Sequence, residues 1–308
     1  MDTFKKPNPL KRGDTIGVVA PSGVVQDESL DAGVHALVRE GFRVELAKGI
    51  LERKGYLAGE NETRARALEH FFLRDDIRAI ICARGGFGSV QLLPLIDART
   101  ISLHPKIFVG YSDVSVLLIW LSQNCGLVTF HGPMVAMDIA RGMKGRTRDF
   151  FWDTLCGKGK TWQVRVSETV RPGTGVVQAK MVGGCLSTVV TTLGTPYEIQ
   201  TIGRILFLED VGEKAYRIER MLTHLKMAGK LDGVAGVVFG QFPDCGVGEE
   251  RGVAEIIEDL FRDVSYPVLS GLSAGHTEEN LLLPFGVKMA LDGKAGVVSL
   301  LESPTVES

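Results

Sequence analysis

Paired cysteines, an excess charge of either sign and long apolar runs are all missing from this sequence. The five cysteines, Cys82, Cys125, Cys156, Cys185 and Cys245, are scattered through 308 residues with no C-x-x-C spacing. That argues against a disulfide framework or a zinc site and for reduced, mostly buried thiols. With 35 Lys+Arg against 37 Asp+Glu, the net charge of −2 leaves no basic field for phosphate backbones, so no nucleic-acid partner is expected. The longest apolar stretch, around residues 114–121, is far short of the ~20 residues that span a bilayer. The polar first 14 residues, with Pro7, Asn8 and Pro9 in a row, lack the apolar segment of a signal peptide. A soluble, cytoplasmic protein with no membrane partner is the expectation. No internal repeat, low-complexity tract or G-X-Y period is present.

What is there is a globular composition, 44% hydrophobic, long enough for about two domains at ~100–200 residues each. Glycine is in excess: 37 residues, where the ~7% average gives about 22. The excess calls for tight turns or for loops that approach a ligand.

Short apolar runs alternate with amphipathic segments. Strands are expected at 15–20, 42–46, 77–83, 106–110 and 128–130, and helices at 27–40, 61–72, 89–96 and 114–124. This alternation predicts a parallel, doubly wound α/β sheet for the first ~130 residues. The pattern breaks over 140–172, where charge dominates and Phe151, Trp152 and Leu155 are the clear anchors; a linker with a short helix is expected there. Strand-like runs resume at 176–181, 204–208, 236–239, 268–270 and 297–301, with helices at 186–193, 215–227 and 252–261. The expected organisation is an amino-terminal α/β domain over 1–139, a linker over 140–172, and a smaller α/β domain with mixed strands over 173–308.

Four strand ends can carry chemistry. In Val109-Gly110-Tyr111-Ser112-Asp113-Val114 a serine enters a helix from a strand end. It can be a nucleophile with an oxyanion-stabilising N–H beside it, or simply an N-cap. Val114 replaces the second glycine of a G-x-S-x-G elbow. In Arg84-Gly85-Gly86-Phe87-Gly88 the glycines suit a plain tight turn, an anion cradle or, weakly, a nucleotide loop. Gln91 stands where a dinucleotide fingerprint needs its third glycine, and no P-loop Lys-Ser/Thr follows. Glu209 and Asp210 end another strand and can orient a histidine, hold a metal or cap a helix. His276 lies in the loop Gly275-His276-Thr277-Glu278, and His131, after a strand, is its competitor. Ser112, Glu209 and His276 together supply the nucleophile, base-orienter and base of a serine hydrolase. No His/Cys cluster at ligand spacing offers a metal, and no cofactor is expected.

These motifs, in this order, resemble the LD-carboxypeptidases, the serine peptidases also called the muramoyltetrapeptide carboxypeptidase or S66 family. The resemblance spans nearly the whole chain. It is carried by Gly13-Asp14-Thr15-Ile16-Gly17-Val18-Val19-Ala20-Pro21-Ser22, Gly55-Tyr56-Leu57-Ala58-Gly59, the Arg84 loop, Gly110-Tyr111-Ser112-Asp113 and Thr129-Phe130-His131-Gly132-Pro133. It continues through Gly183-Gly184-Cys185-Leu186-Ser187, Leu208-Glu209-Asp210-Val211-Gly212-Glu213, Tyr216-Arg217-Ile218 and Gly275-His276. Phe87 stands where a tyrosine is common in the family and Cys185 where an asparagine is common.

The resemblance implies an amino-terminal domain like that of class I glutamine amidotransferases and a carboxyl-terminal swivelling β/β/α domain. It implies a Ser112–Glu209–His276 triad and a murein tetrapeptide substrate that loses its terminal D-alanine in cytoplasmic cell-wall recycling. A homodimer is expected from the family's habit. Backbone N–H groups of Asp113 and Gly86 are the expected oxyanion hole, and Arg84 or Arg217 the expected holder of the substrate carboxylate. One branch of the family instead hydrolyses peptidyl-nucleotide antibiotics. The run from Glu209 to Lys214 leading into Tyr216-Arg217 looks more like the cell-wall branch. A binding protein that holds a peptide or sugar without cutting it is the non-enzymatic alternative.

Overall fold

The computed structural model describes residues 4–307 and divides into two compact units. The amino-terminal unit runs to Gly159 and takes back Leu281–Phe285 and the stretch from Pro304; the carboxyl-terminal unit comprises Lys160–Asn280 and Gly286–Ser303.

The amino-terminal unit alternates β1 (Thr15–Val19), α1 (Asp27–Arg39), β2 (Arg43–Leu46), α2 (Asn61–Leu73), β3 (Ile77–Cys82), α3 (Ala98–Ser102), β4 (Ile107–Gly110), α4 (Ser115–Cys125), β5 (Thr129–His131) and α5 (Gly145–Leu155). The first five strands are parallel in the order β5-β4-β3-β1-β2. That 2-1-3-4-5 order is a doubly wound sheet whose connections change direction between β1 and β3. The central strands are buried on both faces and therefore are continuous apolar runs such as Ile-Ile-Cys and Ile-Phe-Val. Phe71, Phe72, Phe108, Phe130 and Ile16 are fully buried around them, each contributing ~1.5–3 kcal/mol.

The expected helix over 89–96 is not formed. Pro94 has no N–H to donate to the Val90 carbonyl, so a helical hydrogen-bond ladder cannot run on through it. The chain therefore makes one 3₁₀ turn, Ser89–Leu92, and starts again at α3, where the Asp97 carboxylate accepts from the Arg99 and Thr100 N–H groups at 3.0 and 3.2 Å. After β5 a π-helical turn, Val135–Ile139, packs on α1.

The carboxyl-terminal unit holds β6 (Trp162–Arg165), β7 (Glu168–Arg171), β8 (Val177–Cys185), α6 (Leu186–Val190), β9 (Ile205–Glu209), α7 (Ala215–Met227), β10 (Gly236–Phe239), α8 (Val253–Leu260) and β11 (Val268–Ser270). A further strand, β12 (Leu283–Phe285), leaves it to pair antiparallel with β5 at the edge of the first sheet, where its Pro284 is tolerated. Then come β13 (Lys288–Asp292) and β14 (Val297–Leu300). Strand β8 serves two layers. Its first half pairs antiparallel with β13, in the run β6-β14-β13-β8, and its second half pairs parallel with β9, leading to β10, β11 and antiparallel β7. Helices α6, α7 and α8 pack in succession, as a β/β/α arrangement requires.

Residues 160–172, expected to belong to a linker, instead form β6 and β7. Their period-2 alternation is short and carried by Val164, Val166 and Val170, the buried members of an otherwise polar stretch. These two strands are the opposite edges of the eight-stranded order, yet only Val166 and Ser167 separate them. Three peptide units reach roughly 10–11 Å, so the sheet must curl until its edges lie side by side.

No helix among the described residues is long and apolar enough to cross a membrane, and none of their His, Cys, Asp and Glu side chains form a group able to hold a metal.

Gly33 tests the packing of α1 on the π turn. A β-carbon there would overlap the Val135 carbonyl oxygen. Gly33→Ala should therefore destabilise the protein by about 1–3 kcal/mol in urea unfolding, although alanine favours an isolated helix by ~1 kcal/mol.

Candidate active site

In the amino-terminal unit β4 ends at Gly110, Tyr111 remains extended, and Ser112 adopts φ 63°, one of two non-glycine residues with positive φ among the described residues. An L-residue pays about 1–2 kcal/mol for that conformation, which persists only where its surroundings enforce it. The cap position of the following turn falls on Tyr111, and no side-chain hydrogen bond caps it. Ser112 is therefore not an N-cap. Its neighbour is the glycine loop after β3. A β-carbon on Gly85 would lie 2.7 Å from Ser112 Cβ and 2.8 Å from its Oγ, so only glycine lets this backbone approach. The buried Asp113 carboxylate accepts the Ser89 N–H at 2.8 Å and ties the serine turn to the end of that loop. Gly86 is exposed at the loop's tip. Neither the Asp113 nor the Gly86 N–H meets a backbone acceptor among the described residues.

Sequence reasoning missed Arg64. It is 4% exposed on the core face of α2. Its Nη1 donates to the carbonyls of Pro21 and, at 3.1 Å, of Gly88, while Nη2 donates to Asn61 Oδ1 at 2.6 Å and Gln91 Oε1 at 3.1 Å. One guanidinium thus joins the loops after β1 and β3. Burial pulls its pKa down, and Asp113 leads the charges that oppose this. The signal was present: Arg64, Leu68 and Phe71 share i, i+4, i+7 spacing, so the arginine lies on the apolar stripe.

In the carboxyl-terminal unit Glu209 ends β9 with 0% exposure. One oxygen, Oε2, faces His276 Nδ1 at 2.7 Å and accepts the His276 backbone N–H at 3.1 Å. An ionised carboxylate only accepts, so with Glu209 ionised Nδ1 carries the proton and Nε2 is the basic nitrogen of the ring. Gly275 makes this possible. Its φ is 100°, and a β-carbon there would overlap the Glu209 carboxylate. Its N–H donates to the buried Asn280 Oδ1 at 2.9 Å, which pins the loop.

Asp210, adjacent in sequence, points the other way along the strand. It accepts the Ser187 N–H at 2.7 Å and the Val211 N–H at 2.9 Å, so it caps the entry to α6. Burial raises its pKa, opposed by those backbone bonds. Cys185 pairs in register with Glu209 and lies 3.6 Å from Asp210 Oδ1. Burial, then Glu209 and Asp210, push its thiol well up, so it remains a protonated thiol. None of the five cysteines forms a disulfide.

His131 is fully buried between Tyr111 and Phe285, with ring centroids at 5.9 and 5.8 Å. Its contacts are those of a core residue. Arg84 is half-buried, and its Nη1 donates to the Val24 carbonyl at 3.0 Å. Arg217 is exposed, lies 3.4 Å from Glu213 and covers the Tyr216 ring.

Comparison with known proteins places both units. Residues 16–132 match the family model described as the LD-carboxypeptidase N-terminal domain, and residues 178–291 match its C-terminal domain. A probable murein peptide carboxypeptidase of Bacillus subtilis is 38% identical over 93% of this chain and 91% of that protein. The solved muramoyltetrapeptide carboxypeptidase of Oxalobacter formigenes superposes with a TM-score of 0.85 at 30% identity, covering 93% of this chain and 97% of that one. The microcin C7 self-immunity protein, in its wild-type unliganded structure, superposes with a TM-score of 0.89 at 28% identity, covering 98% and 99%.

Arg64→Met leaves the Pro21 and Gly88 carbonyls without their donor and should cost about 2–4 kcal/mol in chemical denaturation, with Arg64→Lys between the two. Asp210 predicts a pH effect. A raised folded pKa means that the folded chain binds this proton more tightly than the unfolded one. The Asp210 contribution to stability therefore falls as pH rises from the ordinary aspartate value through the folded value. The stability difference between wild type and Asp210→Asn should shift in the variant's favour over that rise, measured by urea unfolding between about pH 3 and pH 7.

Proposed function

This chain belongs to the LD-carboxypeptidase family, and from that we propose that it is a serine carboxypeptidase releasing the terminal D-alanine of murein tetrapeptides, a cytoplasmic homodimer serving peptidoglycan recycling. Ser112 is the nucleophile, His276 the base and Glu209 the group that orients it. His276 Nε2 takes the Ser112 proton as Oγ attacks the carbonyl between the L-centre of the diamino acid and D-alanine. Glu209 stabilises the imidazolium so formed. The Asp113 and Gly86 N–H groups receive the developing oxyanion, each such donor contributing roughly 3–4 kcal/mol. The imidazolium then protonates the departing D-alanine amine, and water deacylates Ser112. The reading requires His276 Nε2 and Ser112 Oγ to come within hydrogen-bonding reach during turnover.

The observation that carries it is Ser112 itself. A serine held at positive φ at the carboxyl end of a parallel strand, not capping its helix, is a costly local choice that a nucleophile explains and a structural serine does not. The already oriented His276–Glu209 pair supports the same chemistry. A pure binding protein has no use for either.

The second reading, hydrolysis of a peptidyl-nucleotide, is favoured by the TM-score of 0.89 to the self-immunity protein. The 38% identity to the murein peptide carboxypeptidase supports the first.

Ser112→Ala should keep the wild-type circular dichroism spectrum and melting profile while lowering turnover by about four orders of magnitude or more. The assay is mass spectrometry of L-Ala-γ-D-Glu-meso-diaminopimelate-D-Ala beside a peptidyl-adenylate. Loss of D-alanine alone supports the first reading, cleavage of only the nucleotide conjugate the second. Turnover at the wild-type rate by Ser112→Ala sinks both.

A further inference from the structure

We propose that the cavity beside Arg84 is the subsite that recognises the free carboxylate at the end of the substrate, an inference that rests on the carboxypeptidase reading above. Ligands of open α/β sheets bind outside the carboxyl ends of the strands, where the connections change direction. In this sheet that point lies between β1 and β3. A cavity of ≈ 310 Å³ occupies it, with Gln26 from the segment after β1, Arg84 from the loop after β3 and Met137 from the π turn. Its volume is at the lower end for small-molecule sites, which suits one amino-acid residue better than a nucleotide.

The chemistry of the wall selects an anion. Arg84 Nη1 is fixed by the Val24 carbonyl, whereas Nε is buried with no acceptor among the described residues. No ion pair to Arg84 is formed among them either. A half-buried guanidinium with no counter-ion is costly, and a carboxylate relieves that cost by pairing with its charge. Arg141 adds a second positive charge to the lining, against one acid, the exposed Glu28. Arg217, the other candidate, already has Glu213 and the Tyr216 ring as partners.

The position fits as well. Arg84 immediately precedes Gly85, which packs against Ser112. The arginine of the cavity and the glycine that packs on the nucleophile are therefore successive residues of one loop.

The test compares kcat/KM for the tetrapeptide with a free terminal carboxylate and for the same peptide ending in a carboxamide. Wild type should prefer the acid by about 10- to 100-fold, the range expected of a charged hydrogen-bonded pair. Arg84→Met should bring the ratio close to one, and Arg84→Lys, which keeps the charge but not the fork, should retain part of it. The ratio is internal to each protein, so a smaller folded fraction cannot imitate the effect. A wild-type ratio in Arg84→Met overturns the inference, as does collapse of the ratio in Arg217→Met instead. If the wild-type protein releases D-alanine from neither peptide, the carboxypeptidase reading fails and the inference goes with it.

Discussion

The backbone of one serine constrains the amino-terminal unit. Ser112 is held at φ 63°, a conformation its own chemistry disfavours, so neighbouring groups must enforce it. They are all at the carboxyl edge of the sheet: Gly85 with no side chain to obstruct the approach, Asp113 bonded to the Ser89 N–H, and Arg64 joining the loops on either side of the β1–β3 switch. The doubly wound order gathers these loops along one edge, because every parallel strand ends there. The π turn after β5 belongs to the same edge and leans on α1 through Gly33.

The carboxyl-terminal unit solves a different problem, a fully buried carboxylate. Glu209 is tolerable without water because one of its oxygens has the imidazole and a backbone N–H of the same residue as donors. That double contact needs the His276 loop to double back sharply, which Gly275 permits and Asn280 secures. Asp210, one residue on, uses the alternation of the strand to face the opposite side and hold α6. Two adjacent acids therefore do unrelated work: one holds the His276 ring and backbone, the other builds the element beside it.

Fold class and most elements were legible in the chain because buried parallel strands are continuous apolar runs and their ends are marked by glycine. The failures have local causes. Pro94 interrupts an apolar segment that otherwise has the look of a helix. Strands β6 and β7 and the two residues between them hold only three buried valines among polar neighbours, and β12 and one edge of β13 pair with strands more than a hundred residues away. Arg64 was overlooked for the opposite reason: its place on the apolar stripe of α2 was readable, but a charged residue in an amphipathic helix is normally solvated, and only the loops folded over it change that.

By itself the sequence determined which residue types stand at the strand ends, because punctuation of apolar runs is a local property of the chain. It also determined the family, through the joint order of its motifs. Only tertiary structure decided between equals: Glu209 over Asp210 as the partner of His276, His276 over the buried His131 as the ring against Glu209, and a non-capping conformation for Ser112. Those choices turn on φ angles, burial and hydrogen bonds between segments far apart in the chain. Local spacing carries no information about which distant side chain will arrive, nor about which backbone will be forced to make room for it.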